Sequence, residues 1–177
     1  NIPIYILTSG GTFSAAEWMS YSLQNLKRAT IVGEKTAGGA HPITRTVVTN
    51  GFSVNIPFGE VKDPITNMDF EGKGVMPDVL CKSEEAINTA HLLALKNISQ
   101  QNEDALNALN WFAPVVKNRQ KPFVVNAELL KSYQGKFGKS ELVFDNNLYY
   151  KWNNIITLLL TPLESDLFII DGIDDYR

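Results

Sequence analysis

The stretch Pro3-Ile-Tyr-Ile-Leu-Thr8-Ser-Gly-Gly-Thr-Phe-Ser14-Ala-Ala-Glu17 decides the fold. Residues 3–8 are a short apolar run, which reads as a strand covered on both faces. Helical spacing follows at once. Ala15, Met19, Leu23 and Leu26 recur at i, i+4, i+8 and i+11, with Ala16 and Trp18 alongside, and this predicts an inward apolar stripe. A second apolar strand, residues 29–33, closes a strand–turn–helix–strand unit. Such units make right-handed crossovers between parallel strands, so the expected class is α/β. The Gly10-Gly11 pair is expected to permit the sharp turn between strand and helix.

Outward from this unit, a loop over 34–42 leads to two strand-like runs, 43–49 and 52–58, around Asn50-Gly51. Asn-Gly between such runs is a strong hairpin signal. Phe52, Val54, Ile56 and Phe58 alternate, which predicts one buried face on the second strand. Residues 59–82 show little periodicity beyond a short strand at 78–81. Ser83 followed by Glu84-Glu85 predicts a helix start, running to about Asn97. Another helix is expected from near Asn102 to before Asn118, with Leu106, Leu109 and Phe112 inward and Pro114 ending or kinking it. Residues 118–122 read as a linker. Beyond it, strands at 133–137, 141–144, 148–152 and 155–160 suggest a small antiparallel add-on. The expected domains are therefore 1–117 and 118–177, the second truncated at Arg177.

The chain has 177 residues, 44% of them hydrophobic and 20% charged, ordinary values for a globular protein. Sixteen Lys+Arg against nineteen Asp+Glu give a net charge of −3, which argues against a nucleic-acid or anionic-membrane surface. No apolar run approaches the ~20 residues of a membrane span. The single cysteine, Cys81, has no partner for an intramolecular disulfide. The first residue is Asn1 and strand-like sequence begins almost immediately, so the chain reads as a piece of a longer protein.

Ser14 is the centre of chemical interest. A serine at a helix start, directly after a buried strand and a glycine turn, exposes its hydroxyl while the helix N-terminus offers free amides to an oxyanion. Geometry alone leaves open that Ser14 or Thr12 merely caps the helix. His41, in a Gly-Gly-Ala-His-Pro loop, is the tempting base, since histidine is the usual partner of a serine nucleophile. His91, between Ala90 and Leu92, suits packing, and Cys81 suits the core. No phosphate-loop or metal-ligand spacing is present, and no cofactor or metal is expected.

Three segments occur in order: residues 8–17, residues 27–42, and Phe70-Glu71-Gly72-Lys73-Gly74-Val75-Met76-Pro77-Asp78-Val79. Together, over roughly residues 1–115, they resemble the serine peptidases of the C-terminal processing (tail-specific) and tricorn-core family, which includes the interphotoreceptor retinoid-binding repeats. The resemblance implies a crotonase/ClpP-like βα core followed by the β add-on. It implies Ser14 as nucleophile and the Ala15 amide as half of the oxyanion hole, with the other half from an upstream segment. The processing branch uses a lysine 25 residues after the nucleophile, a position held here by Gly39; Lys35 lies four residues early. The tricorn-like branch pairs an upstream serine–histidine with a glutamate three residues before the Gly-Val-x-Pro-Asp turn, which is Glu71. Gly38, Gly39 and His41 then line the substrate. The implied activity is hydrolysis of peptides or unfolded proteins in an extracytoplasmic setting, with the upstream part of the same protein completing the site. The alternative is a non-catalytic module binding a hydrophobic ligand, as the retinoid-binding repeats imply.

Overall fold

A computed structural model describes residues 2–153 and 155–171, which fall into two compact units, Asn1–Asn97 and Ile98–Arg177. In the first unit, β1 (Tyr5–Thr8) leads through the elbow to α1 (Ala15–Asn25) and β2 (Thr30–Gly33). β1 and β2 pair in parallel, from Tyr5 opposite Thr30 to Thr8 opposite Gly33, as the strand–helix–strand pattern predicts. β3 (Ile43–Thr49) and β4 (Phe52–Pro57) form a hairpin with a register shift between Val47 and Thr49. β5 (Val79–Leu80) then returns to the parallel sheet beside β2, giving the order β1-β2-β5. Asp78 starts that strand by binding both β2 and α1. Its carboxylate accepts from the Ile31 N–H at 2.7 Å and from the Gln24 amide at 2.9 Å. A single 3-10 turn, Ser83–Glu85, precedes α2 (Ala86–Ile98), whose Ala86 and Ala90 cover Val32 together with Tyr5, Val79, Cys81 and Leu93.

Several expectations need correction. The α1 stripe faces outward: Met19 and Leu26 are more than half exposed, while Glu17 and Ser20 are buried. Apolar spacing identified the helix but not its inner face, because hydrogen bonds make a buried carboxylate tolerable there. The expected buried face of β4 is also absent. Phe52, Val54, Ile56 and Phe58 are all exposed, since β3 and β4 form a two-stranded sheet of their own. Neither Gly10 nor Gly11 adopts a positive φ, and an added Cβ would meet nothing closer than 3.6 Å at either. Ser83 does not cap its helix; Lys82 holds that position without a side-chain bond. His91 is exposed rather than packed.

In the second unit, α3 (Glu103–Gln120) begins where Asn102 accepts the Ala105 N–H at 2.8 Å. It continues through Pro114 to Gln120, past the expected end before Asn118. A proline supplies a helical φ at the cost of one backbone bond. The burial of Ala113, Val115 and Val116 around Pro114 holds the helix together, whereas the expected inward residue Leu106 is exposed. Two elements escaped the sequence patterns: α4 (Ala127–Ser132), capped by Asn126, and the last strand, β10 (Phe168–Ile170). β6 (Gly135–Phe137), β7 (Ser140–Asp145), β8 (Asn147–Trp152) and β9 (Ile156–Pro162) complete an antiparallel sheet ordered β10-β9-β8-β7-β6. The units divide between Asn97 and Ile98, so α3 is counted with the sheet that follows it. No helix among the described residues is long and apolar enough to cross a membrane.

Candidate active site

Ser14 stands at the N-cap of α1 with φ 55° and ψ −120°. This lies outside the small left-handed basin that non-glycine residues visit, and such a conformation costs on the order of 1–3 kcal/mol. The strain turns the chain from β1 into the helix and leaves Ser14 exposed. Its hydroxyl makes no capping bond. Its N–H donates instead to the Glu17 carboxylate at 2.8 Å, one arm of a capping box. Ser14 thus occupies the cap position, with its side chain facing the Glu17 N–H and the residue exposed. The next amide, Ala15 N–H, makes no hydrogen bond among the described residues and sits at the positive end of the α1 dipole.

Glu17 is a residue beside Ser14 that sequence reading passed over. Its side chain is fully buried. Oε1 accepts from the Thr36 hydroxyl and from the Gly38 N–H at 2.6 Å, and Oε2 accepts from the Gly39 N–H and Ser14 N–H, both at 2.8 Å. Burial alone would raise its pKa, but these bonds together outweigh it and hold the carboxyl below its ordinary value. The signal was present in the sequence as the Ser-x-x-Glu spacing of a capping box, which gives no hint of the loop that shares the carboxylate.

The 34–42 loop is fixed from several sides. Thr36 exchanges bonds with Val75 in both directions: its N–H donates to the Val75 carbonyl at 3.1 Å, and its hydroxyl accepts the Val75 N–H at 2.7 Å. Ala37 N–H donates to the Thr12 carbonyl at 3.1 Å, and the Gly38 carbonyl accepts the Gly72 N–H at 2.9 Å. Gly74 has φ +72°, and a Cβ there would lie 2.1 Å from the Thr36 carbonyl oxygen. Beneath the loop, Ala40, Phe70 and Val75 pack with Trp18 and Tyr21.

Glu71 reaches the same loop. Its Oε2 accepts from the Ala40 N–H at 2.6 Å and the His41 N–H at 3.0 Å. The structure thus joins Gly38, Gly39, His41 and Glu71 on one segment, linked to Ser14 through Glu17. No hydrogen bond or ion pair connects Ser14 to His41 or Glu71 among the described residues. The His41 ring lies between two carboxylates, with Nε2 3.5 Å from Asp69 and Nδ1 3.9 Å from Glu71. His41, Glu60 and Asp69 place ligand atoms within 4.8 Å of one another, a spacing that could admit a cation. Glu60, however, is exposed and already pairs with Lys62 at 3.0 Å.

The sequence model of peptidase family S41 matches residues 1–81, which hold the elbow, the Gly38-Gly39 loop and the Glu71 turn. Over these residues the chain is similar to that family. The chain is 33% identical over 76 residues to a carboxyl-terminal-processing protease of Synechocystis sp., covering 43% of this chain and 18% of that one. Among solved structures, a photosystem II D1 C-terminal processing protease aligns at 32% identity and a TM-score of 0.41, over 46% of this chain and 21% of that one. Mature CPAF aligns at 19% identity and a TM-score of 0.36, over 66% and 21%. The chain thus spans about a fifth of the length of the relatives it matches. Gly39, which stands 25 residues after Ser14, commits its amide to Glu17.

Proposed function

We propose that the chain is the nucleophile-bearing part of a serine peptidase, acting on peptides or unfolded proteins in an extracytoplasmic setting. The observation that carries the reading is the strained Ser14 elbow, which leaves the serine exposed at the start of α1. In the reaction, Ser14 Oγ attacks the scissile carbonyl while a base takes its proton. The oxyanion that develops meets the Ala15 N–H, an amide at the helix start with no partner among the described residues. The protonated base then gives its proton to the leaving amine, and water releases the acyl group from Ser14 by the same route. Glu71 supports this array from Oε1, because Oε2 is occupied by the Ala40 and His41 amides. In this reading Glu71 orients a histidine supplied by another segment of the parent protein, and Gly38, Gly39 and His41 line the substrate. No cofactor takes part.

The 177 residues alone are expected to turn over no substrate. A serine hydroxyl is a poor nucleophile without a base, and the His41 ring faces Asp69 and Glu71 with no hydrogen bond to Ser14 among the described residues. Absence of one oxyanion donor typically costs about 100- to 1000-fold in kcat. The test takes the parent protein and the isolated chain together. In the parent, Ser14→Ala should abolish hydrolysis of an unfolded substrate, and Glu71→Gln should lower kcat by at least about 100-fold with little change in melting temperature. The isolated chain should resist a serine-directed fluorophosphonate. Turnover retained by the Ser14→Ala parent would remove Ser14 as the nucleophile, and an unsubstituted parent with no turnover would favour the non-catalytic module. Labelling of the isolated chain that His41→Ala abolishes would make His41 the base.

A further inference from the structure

Glu17 is a buried ionisable group that the proposed reaction does not use. A buried carboxylate is tolerated only when its oxygens are saturated by donors, and here the four donors come from three places in the chain. They are the Ser14 elbow, the Thr36 hydroxyl and the Gly38-Gly39 turn. With accessibility near zero, water cannot replace any of them. The carboxylate is thus the common acceptor that sets the distance between the nucleophile and the loop facing it. We infer that Glu17 is a positioning residue of the S41 site, locking the Gly38-Gly39 wall against the Ser14 elbow. The inference rests on the peptidase reading for its kinetic consequence, but not for its structural one.

Two consequences follow from the donor count. The Gly38 and Gly39 amides, which a glycine loop beside a serine would otherwise offer to an oxyanion, are consumed by Glu17. Ala15 N–H is left as the unpartnered amide beside Ser14. Moreover, glutamine cannot substitute: it has one acceptor oxygen, and its NH2 would face N–H donors across the same short gaps. The Glu17→Gln variant would keep the volume and lose the tie, so the wall would move while the core stayed filled. Misplacement of a reacting group by about 1 Å is enough to cost about 100-fold in rate.

The experiment has two arms. In the parent protein, Glu17→Gln should lower kcat about 100-fold and leave KM within about threefold, assayed where the variant is fully folded. Asp63→Asn, at another fully buried carboxylate that binds the amides of its own turn, should lower the melting temperature without that fall in kcat. Thr36→Val removes one donor to Glu17, along with the acceptor of the Val75 N–H, and provides a second variant should Glu17→Gln fail to fold; it should lower kcat about tenfold. In the 177-residue chain, amide exchange at Ser14, Gly38 and Gly39 should quicken at least about tenfold in Glu17→Gln, while Ile31 and Val32 stay protected. Exchange unchanged at those three amides would overturn the inference whatever the kinetics. So would kcat falling no further in Glu17→Gln than in Asp63→Asn. A parent whose Ser14→Ala form remains active would instead defeat Ser14 as nucleophile, one with no activity at all would defeat the peptidase reading, and in either case the exchange arm would still decide whether Glu17 holds the wall.

Discussion

Two neighbouring stretches of the first unit treat similar sequence signals in opposite ways. Around Ser14, a glutamate and a threonine are buried and apolar Met19 looks outward; in the β3–β4 hairpin, a regular alternation of Phe, Val and Ile leads to no buried face at all. The first region is organised by hydrogen bonds that converge on one carboxylate, the second by the ladder bonds of two strands. Polar residues can therefore hold the buried part of a fold when each donor has an acceptor, and apolar alternation guarantees only a strand.

The sharpest way to break this comparison uses two glycines of similar backbone conformation. Gly74 has φ +72° and Gly51 has φ +85°. A Cβ at Gly74 would lie 2.1 Å from the Thr36 carbonyl, whereas at Gly51, in the hairpin turn, it would meet nothing within 4 Å. Gly74→Ala is expected to destabilise the chain by at least about 3 kcal/mol, combining strain with a collision against backbone. Gly51→Ala carries only the left-handed penalty, about 1 kcal/mol. Denaturant unfolding of the two variants gives the difference directly. Equal losses would mean that the loop bed yields as readily as the hairpin turn.

How much of this was legible beforehand depends on the range of the interaction. The β1–α1–β2 unit is written in contiguous residues, since short apolar strand runs and a helix each leave a local pattern. The Ser14 elbow was legible from the strand, the helix start and the family resemblance, although the strained residue is the serine and not the glycine pair. Glu17's role was not legible, because three of its donors lie 19 to 22 residues away and no local period marks a shared acceptor. Glu71's hold on Ala40 and His41 was hidden for the same reason. The inner face of α1 was misread because the helix buries a saturated carboxylate and a serine whose hydroxyl bonds back to the Ala16 carbonyl at 2.9 Å. Continuation of α3 past Pro114 is a case of packing overriding a local breaker.

A second test lowers the pH. Glu17 and Asp63 both have pKa values held below the ordinary ones, against the cost of burial for Glu17 and chiefly through the Thr66 amide for Asp63. The unfolded chain therefore binds more protons than the native one near those ordinary values, 4.5 and 3.8, and stability rises with pH through that range. The stabilisation is complete above about pH 5 and is lost as the pH falls through the lowered native values. The melting temperature should be level from neutrality down to about pH 5 and then decline, with a shallower decline in Glu17→Gln. Residues 43–58 contain no carboxylate, so exchange of the hairpin amides should show no matching step after correction for intrinsic rate. Acid loosening that began in the hairpin would reverse the ranking of the two regions.

The smallest expected effect on stability lies in the hairpin itself. Phe52 is 73% exposed, so Phe52→Ser removes little area that folding had taken from water. By the usual range for exposed positions, the change in unfolding free energy should stay within about 0.5 kcal/mol. A loss of β propensity on a free strand edge works against stability by a few tenths of a kcal/mol, and the gain in solvation of an exposed ring position offsets part of it. Colloidal behaviour should move further. The hairpin presents Val47, Val48, Phe52, Val54 and Ile56 to solvent with Arg45 as its one charged residue, a combination that invites edge-to-edge pairing. Light scattering at rising concentration should therefore show less self-association for Phe52→Ser than for the parent sequence, at an unchanged melting temperature. A melting temperature lowered by more than about 5 °C would mean that Phe52 is covered in solution, and that the alternation along β4 marks a buried face after all.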